Sequence, residues 1–237
     1  MKVLVTGGAG YLGSELLRQA PDAVGTWHST PIEGGIRLDV REPFEIDADV
    51  VIHTAYRMDD PDTIVRGTRN VAEAAVRAGA RLIHLSTDLV FDGEHAPYRE
   101  EDEPRPVSEY GRAKLAAEQL LPTEALIVRT SLLYGRPGGP QERLAHTGTE
   151  FYEDEIRCPT RVDELAAALL ELAARAETGV LHIAGPDAVS RLEFARMLGA
   201  PDPKGVPTPP GRARNVALDS SRAAALLGTR LSGVKSG

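Results

Sequence analysis

The chain has 237 residues, of which 42% are hydrophobic and 26% are charged, a balance that excludes disordered, collagen-like and coiled-coil proteins. Its 27 basic and 35 acidic residues give a net charge of −8, which argues against binding to nucleic acids or anionic membranes. The single cysteine, Cys158, excludes a disulfide framework and suits a reducing compartment, so we expect a cytoplasmic protein. No apolar run reaches the roughly 18 residues of a membrane span.

The first half of the chain alternates short apolar runs with segments of helical periodicity. The runs predict strands at residues 2–6, 23–27, 36–38, 49–53, 81–86 and 125–130. The periodic segments predict helices at residues 11–20, 62–78 and 107–121. The strand runs are apolar throughout rather than alternating, as in a parallel sheet that is covered on both faces. The pattern therefore predicts a doubly wound α/β (Rossmann) fold.

The second half of the chain is less regular. Helices are predicted at residues 162–176, 192–198 and 220–227, and a strand at 179–183. Residues 201–210 hold five prolines and are predicted to be irregular. We expect a dinucleotide-binding domain from residues 1–134 plus 160–185. A small substrate-binding cap, packed over the carboxyl ends of the strands, is expected from residues 135–159 plus 186–230.

A glycine pattern follows the first predicted strand. Gly7, Gly10 and Gly13 have TGxxGxxG spacing, and the next segment is a predicted helix. Glycine allows a tight turn and lets backbone amides approach a pyrophosphate, while the helix directs its positive end at the anion. A bare glycine-rich turn is the alternative, but the strand before the pattern and the helix after it favour a dinucleotide site.

The end of the second predicted strand bears on the choice of cofactor. A carboxylate there would bind ribose hydroxyls and repel a 2′-phosphate. His28 and Ser29 stand there instead, and each can donate a hydrogen bond to a phosphate. The sequence therefore favours NADP(H) over NAD(H). Asp39, after the third strand, is placed to bind the adenine amino group, although a solvated turn aspartate fits the spacing equally well.

A YxxxK pattern supplies candidate catalytic residues. Tyr110 and Lys114 are four residues apart on a predicted helix and so share a face. A cation about 4 Å from a phenol, at an effective dielectric near 20, favours the phenolate by roughly 4 kcal/mol, or about 3 pKa units. That shift suits a general acid or base. Ser86 and Thr87 follow a buried strand, and one of their hydroxyls can bind a carbonyl oxygen. The alternative for the pattern alone is a chance helical pair.

With these residues, the sequence resembles the extended short-chain dehydrogenase/reductases, and within them the dTDP-4-dehydrorhamnose reductase group of sugar-nucleotide reductases. The motifs that carry the resemblance are TGGAGYLG (6–13), GTWHS (25–29), LDV (38–40), VIHTAY (51–56), STDLVFDG (86–93), YGRAK (110–114), RTSLLYG (129–135), PTRVDELA (159–166) and GVLHIAG (179–185).

The resemblance implies that Thr87, Tyr110 and Lys114 form the catalytic triad of an NAD(P)H-dependent reductase, whose substrate is the C4 carbonyl of a nucleotide-activated 4-keto-deoxysugar. Tyr110 would donate the proton, Thr87 would bind the carbonyl oxygen and Lys114 would orient the cofactor. The implied cofactor-binding residues are Gly7, Gly10, Tyr11, Leu12, Gly13, His28, Ser29, Asp39, Val40, Ala55, Tyr56 and Lys114.

The sequence departs from the family pattern in two places. Leu89 replaces the tyrosine of the family's STDYVF motif, and the segment after residue 135 is short and lacks an Asn-Phe element. Two alternatives stay open, and the short segment motivates the first of them. One is a non-catalytic NADP-binding regulatory subunit resembling that of methionine adenosyltransferase, and the other is an NAD-dependent nucleotide-sugar epimerase or dehydratase.

Partners and metals are also constrained by the sequence. We expect a keto-sugar substrate, no nucleic-acid or membrane partner, and a monomer or homodimer. Histidines and carboxylates with metal-ligand spacing are not found. His53, at the end of a predicted strand, is expected to be a structural residue bordering the cofactor, and His84, within a strand, is expected to be buried.

Overall fold

The computed structural model describes residues 1–236, which contain thirteen strands and seven α-helices. The strands are β1 (Val3–Thr6), β2 (Val24–Trp27), β3 (Ile36–Arg37), β4 (Val50–His53), β5 (Arg81–Thr87), β6 (Leu126–Thr130), β7 (Leu133–Tyr134), β8 (Glu150–Tyr152), β9 (Ile156–Arg157), β10 (Thr160–Arg161), β11 (Gly179–His182), β12 (Val189–Ser190) and β13 (Lys204–Val206). The helices are α1 (Tyr11–Gln19), α2 (Pro61–Ala78), α3 (Glu109–Glu118), α4 (Pro140–Thr147), α5 (Val162–Ala173), α6 (Arg191–Met197) and α7 (Ser221–Leu226).

Seven of the strands form a central parallel sheet in the order β11-β6-β5-β4-β1-β2-β3. Strand β1 pairs in parallel with β2 and β4, and β4 pairs in parallel with β5. Every residue of β4 is buried, which explains why its sequence is apolar throughout rather than alternating. The predicted doubly wound α/β fold is therefore confirmed, and each strand predicted in the first half lies within a residue of its expected bounds.

Contacts between Cα atoms divide the chain into two compact units. Unit 1 comprises Met1–Ser86, Arg112–Val128 and Ala166–Val180. Its core includes an apolar cluster made by Leu4, Val40, Val51, Val71, Ala72, Ala75, Leu82 and Ala125. Helix α2 contributes three of these residues and begins at a cap, because Asp60 accepts hydrogen bonds from the amides of Asp62 and Thr63. It ends at Gly79, whose φ of 65° is left-handed.

Unit 2 comprises Thr87–Gly111, Arg129–Leu165 and the chain from Leu181 onward. Three two-stranded ribbons pair β7 with β10, β9 with β12, and β8 with β13. Its described part holds two small apolar clusters, one around Tyr134 and Phe194 and the other around Phe151 and Leu192. Helix α6 starts with a capping box in which Ser190 and Glu193 bond to each other's amides. The predicted domain boundaries stay a prediction.

The structure differs from the sequence-based expectations in a few elements. Strand β13 lies within residues 201–210, which were expected to be irregular, because β8 supplies a partner strand more than fifty residues earlier. Helix α3 is shorter than predicted and starts after Ser108, whose hydroxyl accepts a hydrogen bond from the Gly111 amide. Over residues 1–236, no helix has the length and apolar character needed to cross a membrane.

Candidate active site

The loop between β1 and α1, in unit 1, requires glycine at two of the predicted positions. Gly7 has a φ of 73°, and a Cβ there would lie 2.8 Å from the Cα of Ala55. A Cβ at Gly13 would overlap the carbonyl oxygen of Gly7. Glycine is therefore needed both for the left-handed conformation and for the close approach of backbone to backbone. The loop therefore turns tightly and packs backbone against backbone, as the glycines of a dinucleotide-binding loop allow.

The amino terminus of α1 suits an anion. Gly10 is the residue that precedes the helix, and no side chain caps it there. The first turn, which contains Tyr11 and the buried Leu12, has no acidic residue. The positive end of the helix dipole is therefore not neutralised by a carboxylate of that turn. These features fit the pyrophosphate of a dinucleotide.

The residues after β2 and β3 form a charged cluster in the same unit. His28 and Ser29 are exposed, and the His28 Nε2 atom lies 3.4 Å from Asp39 Oδ2. Arg41 binds both oxygens of Asp39, with Nε 3.0 Å from Oδ1 and Nη2 2.8 Å from Oδ2. Hydrogen bonding to Arg41 lowers the pKa of Asp39 to about 2. Asp39 is therefore a carboxylate at neutral pH, and its negative charge is paired with the positive charge of Arg41. The sequence analysis did not identify Arg41.

The remaining predicted cofactor residues differ in exposure. Val40 is 6% exposed and packs in the core of unit 1. Its carbonyl oxygen accepts a hydrogen bond from Asn70. Ala55 is partly buried, and Tyr56 is 49% exposed. Among these three residues, Tyr56 alone exposes a large side-chain surface to solvent.

Lys114, on α3, belongs to unit 1 and is 4% exposed. Its ammonium group donates a 2.5 Å hydrogen bond to the Leu85 carbonyl oxygen and lies 3.4 Å from His84 Nε2. It also lies 5.7 Å from the centre of the Tyr56 ring. Burial lowers the pKa of Lys114 to about 8, and the charge of Glu118 opposes that shift. Lys114 therefore carries its charge at neutral pH but loses it within a unit or two above.

Thr87, the last residue of the buried strand β5, and Asp88, which follows it, stand at the start of unit 2. The Thr87 hydroxyl accepts a 3.2 Å hydrogen bond from the Leu89 amide and donates a 3.1 Å bond to Asp88 Oδ1. Asp88 is fully buried, and Arg157 binds both of its oxygens, with Nη2 at 2.5 Å from Oδ1 and Nε at 2.7 Å from Oδ2. Ser131 donates a further bond at 2.5 Å. Thr87 therefore lies next to a buried ion pair in which both oxygens of Asp88 accept hydrogen bonds.

Tyr110 lies on the first turn of α3 and belongs to unit 2. A Cβ on the neighbouring Gly111 would overlap the carbonyl oxygen of Leu89. Glycine at position 111 therefore allows the start of α3 to pack against the turn that follows Thr87, within the same unit. Tyr110 and Lys114 are the second and sixth residues of α3, and a separation of four residues places them on one face of the helix.

Comparison with known proteins decides the family. A family model described as the RmlD substrate binding domain matches residues 1–233. This chain belongs to the RmlD family. A dTDP-4-dehydrorhamnose reductase from Mycobacterium tuberculosis is 36% identical over 230 residues, which cover 82% of this chain and 73% of that relative. A crystal structure of a hypothetical dTDP-4-dehydrorhamnose reductase from Sulfolobus tokodaii has a TM-score of 0.87 at 29% identity, covering 98% of this chain and 97% of that one.

Two further solved structures of similar proteins contain nucleotides. A dTDP-4-dehydrorhamnose reductase from Bacillus anthracis, in complex with NADP, has a TM-score of 0.82 at 25% identity and covers 99% of this chain and 96% of its own. MoeE5, in complex with UDP-glucuronic acid and NAD, has a TM-score of 0.83 at 27% identity and covers 99% and 97%. The expected resemblance to sugar-nucleotide reductases, and the expected class of NAD(P)-dependent oxidoreductase, are thereby confirmed for this RmlD family member.

The predicted site residues of this RmlD family member are distributed over the two units. Unit 1 holds the glycine loop, the cluster at His28 and Asp39, and Lys114, while unit 2 holds Thr87 and Tyr110. Sequence reasoning missed Arg41, Arg157 and the contacts of His84. The Arg41–Asp39 pair has a local signal, since the two residues are two apart. The other contacts join residues distant in the chain and leave no pattern in the sequence.

Cys158 lies outside the predicted site and carries no evident chemistry. Cys158 is 3% exposed, and burial raises the pKa of its thiol to about 11. It is therefore an inert packed thiol at neutral pH. In the part of the chain that the structure describes, no group of three or more histidine, cysteine, aspartate or glutamate side chains is arranged to hold a metal ion.

Proposed function

We propose that this protein reduces the C4 keto group of a nucleotide-activated 4-keto-deoxysugar with NADP(H), using Thr87, Tyr110 and Lys114 as catalytic residues. The observation that carries the proposal is the YxxxK pair on α3, together with Thr87 at the end of a buried strand, in a chain of the RmlD family. Relatives named for reduction of dTDP-linked keto sugars support the substrate class.

The cofactor is proposed to lie against the glycine loop. Gly7, Gly10 and Gly13 would admit its pyrophosphate, and the first turn of α1, with Tyr11 and Leu12, would direct its N–H groups at that anion. The ribose and nicotinamide side would be held by Ala55, Tyr56 and Lys114. When bound, the reduced nicotinamide supplies the hydride that the carbonyl carbon receives.

A preference for NADP over NAD is proposed from the charges after β2 and β3. His28 and Ser29 offer donors to a 2′-phosphate, and Arg41 adds a cation beside Asp39. Because Arg41 binds the Asp39 carboxylate, that carboxylate repels a phosphate less than an isolated one would. Asp39 is proposed to bind the adenine amino group, and the main chain at Val40 would lie beside it.

The protein's own groups supply the proton and hold the carbonyl oxygen. Tyr110 is proposed to donate its phenolic proton to that oxygen as the alcohol forms. The Lys114 ammonium stabilises the phenolate left behind. Thr87 has one hydroxyl proton, which it donates to Asp88 in the structure. To bind a carbonyl oxygen it must turn that proton away, and Asp88 then keeps its bonds from Arg157 and Ser131.

Substitution of Tyr110 tests the proposal. In Tyr110→Phe, oxidation of NADPH by a dTDP-4-keto-6-deoxysugar should fall at least about 100-fold, because proton transfer by a positioned acid contributes that much or more. NADPH binding, followed by nicotinamide fluorescence, should change little. Tyr152→Phe is a matched control that removes a phenolic hydroxyl elsewhere and should keep wild-type turnover. Equal turnover in Tyr110→Phe and wild type would refute the assignment.

The same assay separates the two alternative functions. A wild-type protein that consumes no NADPH with a panel of nucleotide-linked keto sugars, yet forms a stable complex with another enzyme, would be a regulatory subunit. A protein that copurifies with NAD and does not exchange it would be an epimerase or dehydratase.

The oligomeric state is a separate expectation. Size-exclusion chromatography with light scattering tests the predicted monomer or homodimer.

A further inference from the structure

Two buried histidines lie side by side on neighbouring strands, but their hydrogen bonds differ. His53 and His84 are paired in the register of β4 and β5, and their ring centres are 5.2 Å apart. His53 is hydrogen-bonded at both nitrogens, to the Thr6 hydroxyl at 2.7 Å and to the Thr68 hydroxyl at 3.1 Å. His84 has its Nε2 atom 3.4 Å from Lys114 Nζ, and its Nδ1 atom has no hydrogen-bond partner among residues 1–236.

The contact with Lys114 determines the form of the His84 ring. An ammonium group has only donors, so Nε2 must offer its lone pair and the ring proton must sit on Nδ1. Burial, followed by the positive charge of Lys114, holds the pKa of His84 well below its ordinary value, so the ring is neutral. The protonated Nδ1 is then a buried donor without an acceptor in the described chain. Such atoms are uncommon and need an explanation.

We propose that His84 is a positioning residue for Lys114, whose ammonium group it holds through a hydrogen bond to Nε2. The Leu85 carbonyl oxygen accepts the second hydrogen bond, so two consecutive residues of β5 fix the direction of the ammonium group. The unsatisfied Nδ1 is explained as the result of aiming Nε2 at Lys114. The consequence for turnover rests on the proposed function, whereas the contact itself does not.

The charged and titratable groups around Lys114 come from three elements. His53 and His84 face it from β4 and β5, Glu118 lies one turn further along α3, and the Tyr56 ring lies after β4. Burial lowers the pKa of Lys114 to about 8, and Glu118 acts in the opposite direction. An acceptor at His84 stabilises the charged form as well. Its removal should therefore lower the pKa of Lys114 further and discharge the ammonium group near neutral pH.

The chain allows a direct measurement, because it contains only four lysines: Lys2, Lys114, Lys204 and Lys235. Carbon-13 labelling at the lysine ε-carbon gives one signal for each, and Lys114→Met assigns the signal of Lys114. His84→Met and His84→Gln form a matched pair of similar size, in which glutamine keeps an acceptor near the position of Nε2. The titration is followed by NMR in the protein without cofactor.

The pKa of Lys114 should be about one unit lower in His84→Met than in wild type, as expected for the loss of one hydrogen bond to a charged group. His84→Gln should restore most of the wild-type value. In the proposed NADPH-dependent reduction, the alkaline limit of kcat/KM should move to lower pH by about one unit in His84→Met only. If His84→Met does not fold, His84→Asn serves as the variant that lacks an acceptor at the position of Nε2, because its shorter amide ends near the position of Nδ1.

If the pKa of Lys114 is unchanged in the variant that lacks an acceptor at the position of Nε2, the proposal is overturned. Equal shifts in His84→Gln and His84→Met would also overturn it, since they would reveal a packing effect rather than a hydrogen bond. If the wild-type protein reduces no keto sugar, the proposed function fails, but the NMR titration still decides whether His84 holds Lys114. The two failures are therefore distinguishable.

Discussion

Each unit of the protein buries a charged residue that is itself a predicted catalytic group or contacts one, and the two charges are stabilised in different ways. In unit 2, Asp88 is fully buried and accepts bonds from Arg157, Ser131 and Thr87. In unit 1, Lys114 is 4% exposed, and its two hydrogen-bond acceptors are a main-chain carbonyl and a neutral histidine. Asp88 is compensated by an opposite charge in direct contact, whereas Lys114 donates to two dipoles and interacts with the charge of Glu118 one helical turn away.

The difference follows from what each group must do in the proposed reaction. Arg157 and Asp88 can stay ionised throughout, because their role is to hold Thr87, and a bidentate pair gives fixed geometry. A carboxylate in direct contact with Lys114 would raise its pKa and weaken its attraction for the phenolate. Burial without such a partner lowers the pKa of Lys114 to about 8. The charge of Lys114 is therefore sensitive to pH in the range near 8.

The largest effect is expected from breaking the compensated pair. Asp88→Asn leaves the buried Arg157 charge with only its 3.5 Å contact to Glu155 and should lower the free energy of unfolding by up to about 3–5 kcal/mol. The double variant Asp88→Asn with Arg157→Met should cost much less than the sum of the two single changes. Urea denaturation of all four proteins measures this coupling. Additive losses would show that the pair does not act as a unit.

The second test concerns Lys114, and here the substitution is expected to raise the free energy of unfolding rather than lower it. Lys114→Met removes a buried ammonium whose pKa is about 8 instead of 10.5, and 2.5 units correspond to about 3 kcal/mol. The variant should be more stable than wild type at pH 7 by about 1–3 kcal/mol, less than the full amount because the bond to Leu85 is lost. It should also lose the proposed turnover. Denaturation and NADPH oxidation, measured on the same variant, test whether stability increases while turnover is lost.

The pH dependence of that difference has a definite direction. The folded protein releases the Lys114 proton near pH 8, but the unfolded chain holds it up to about pH 10.5. The unfolded state therefore binds more protons in this window, and the stability of wild type rises with pH there. The advantage of Lys114→Met should be greatest below pH 8 and should shrink as the pH approaches 10.5. A constant difference over this range would contradict the lowered pKa.

The smallest change in stability is expected at an ion pair that is not buried. Arg41→Gln breaks the contact with Asp39, and solvent screens ion pairs of this kind so that they contribute little to stability. Stability should therefore change little. The ratio of kcat/KM for NADPH to that for NADH should fall, by roughly tenfold, because a cation near the proposed 2′-phosphate is lost. Arg77→Gln, an exposed arginine on α2, is the control and should leave the ratio unaltered.

Local signals made much of the fold and part of the site predictable. The apolar runs identified the strands of the first half, because a strand covered on both faces is apolar at every position. The spacing of Gly7, Gly10 and Gly13 identified the loop, whose backbone contacts exclude a side chain at two of these positions. Contacts between distant residues were not predictable. Strand β13 forms only because β8 pairs with it, and no feature of its proline-rich segment indicates a strand.

The doubly wound sheet, the glycine loop and the helical spacing of Tyr110 and Lys114 are all encoded locally, since each depends on residues that are neighbours along the chain. The solvation of the buried charges depends instead on contacts between distant segments. Arg157 reaches Asp88 across 69 residues of sequence, and His84 meets Lys114 across 30. Solvation and pKa depend on which atoms surround a group in space, and the folded chain brings those atoms together from segments that carry no pattern relating them.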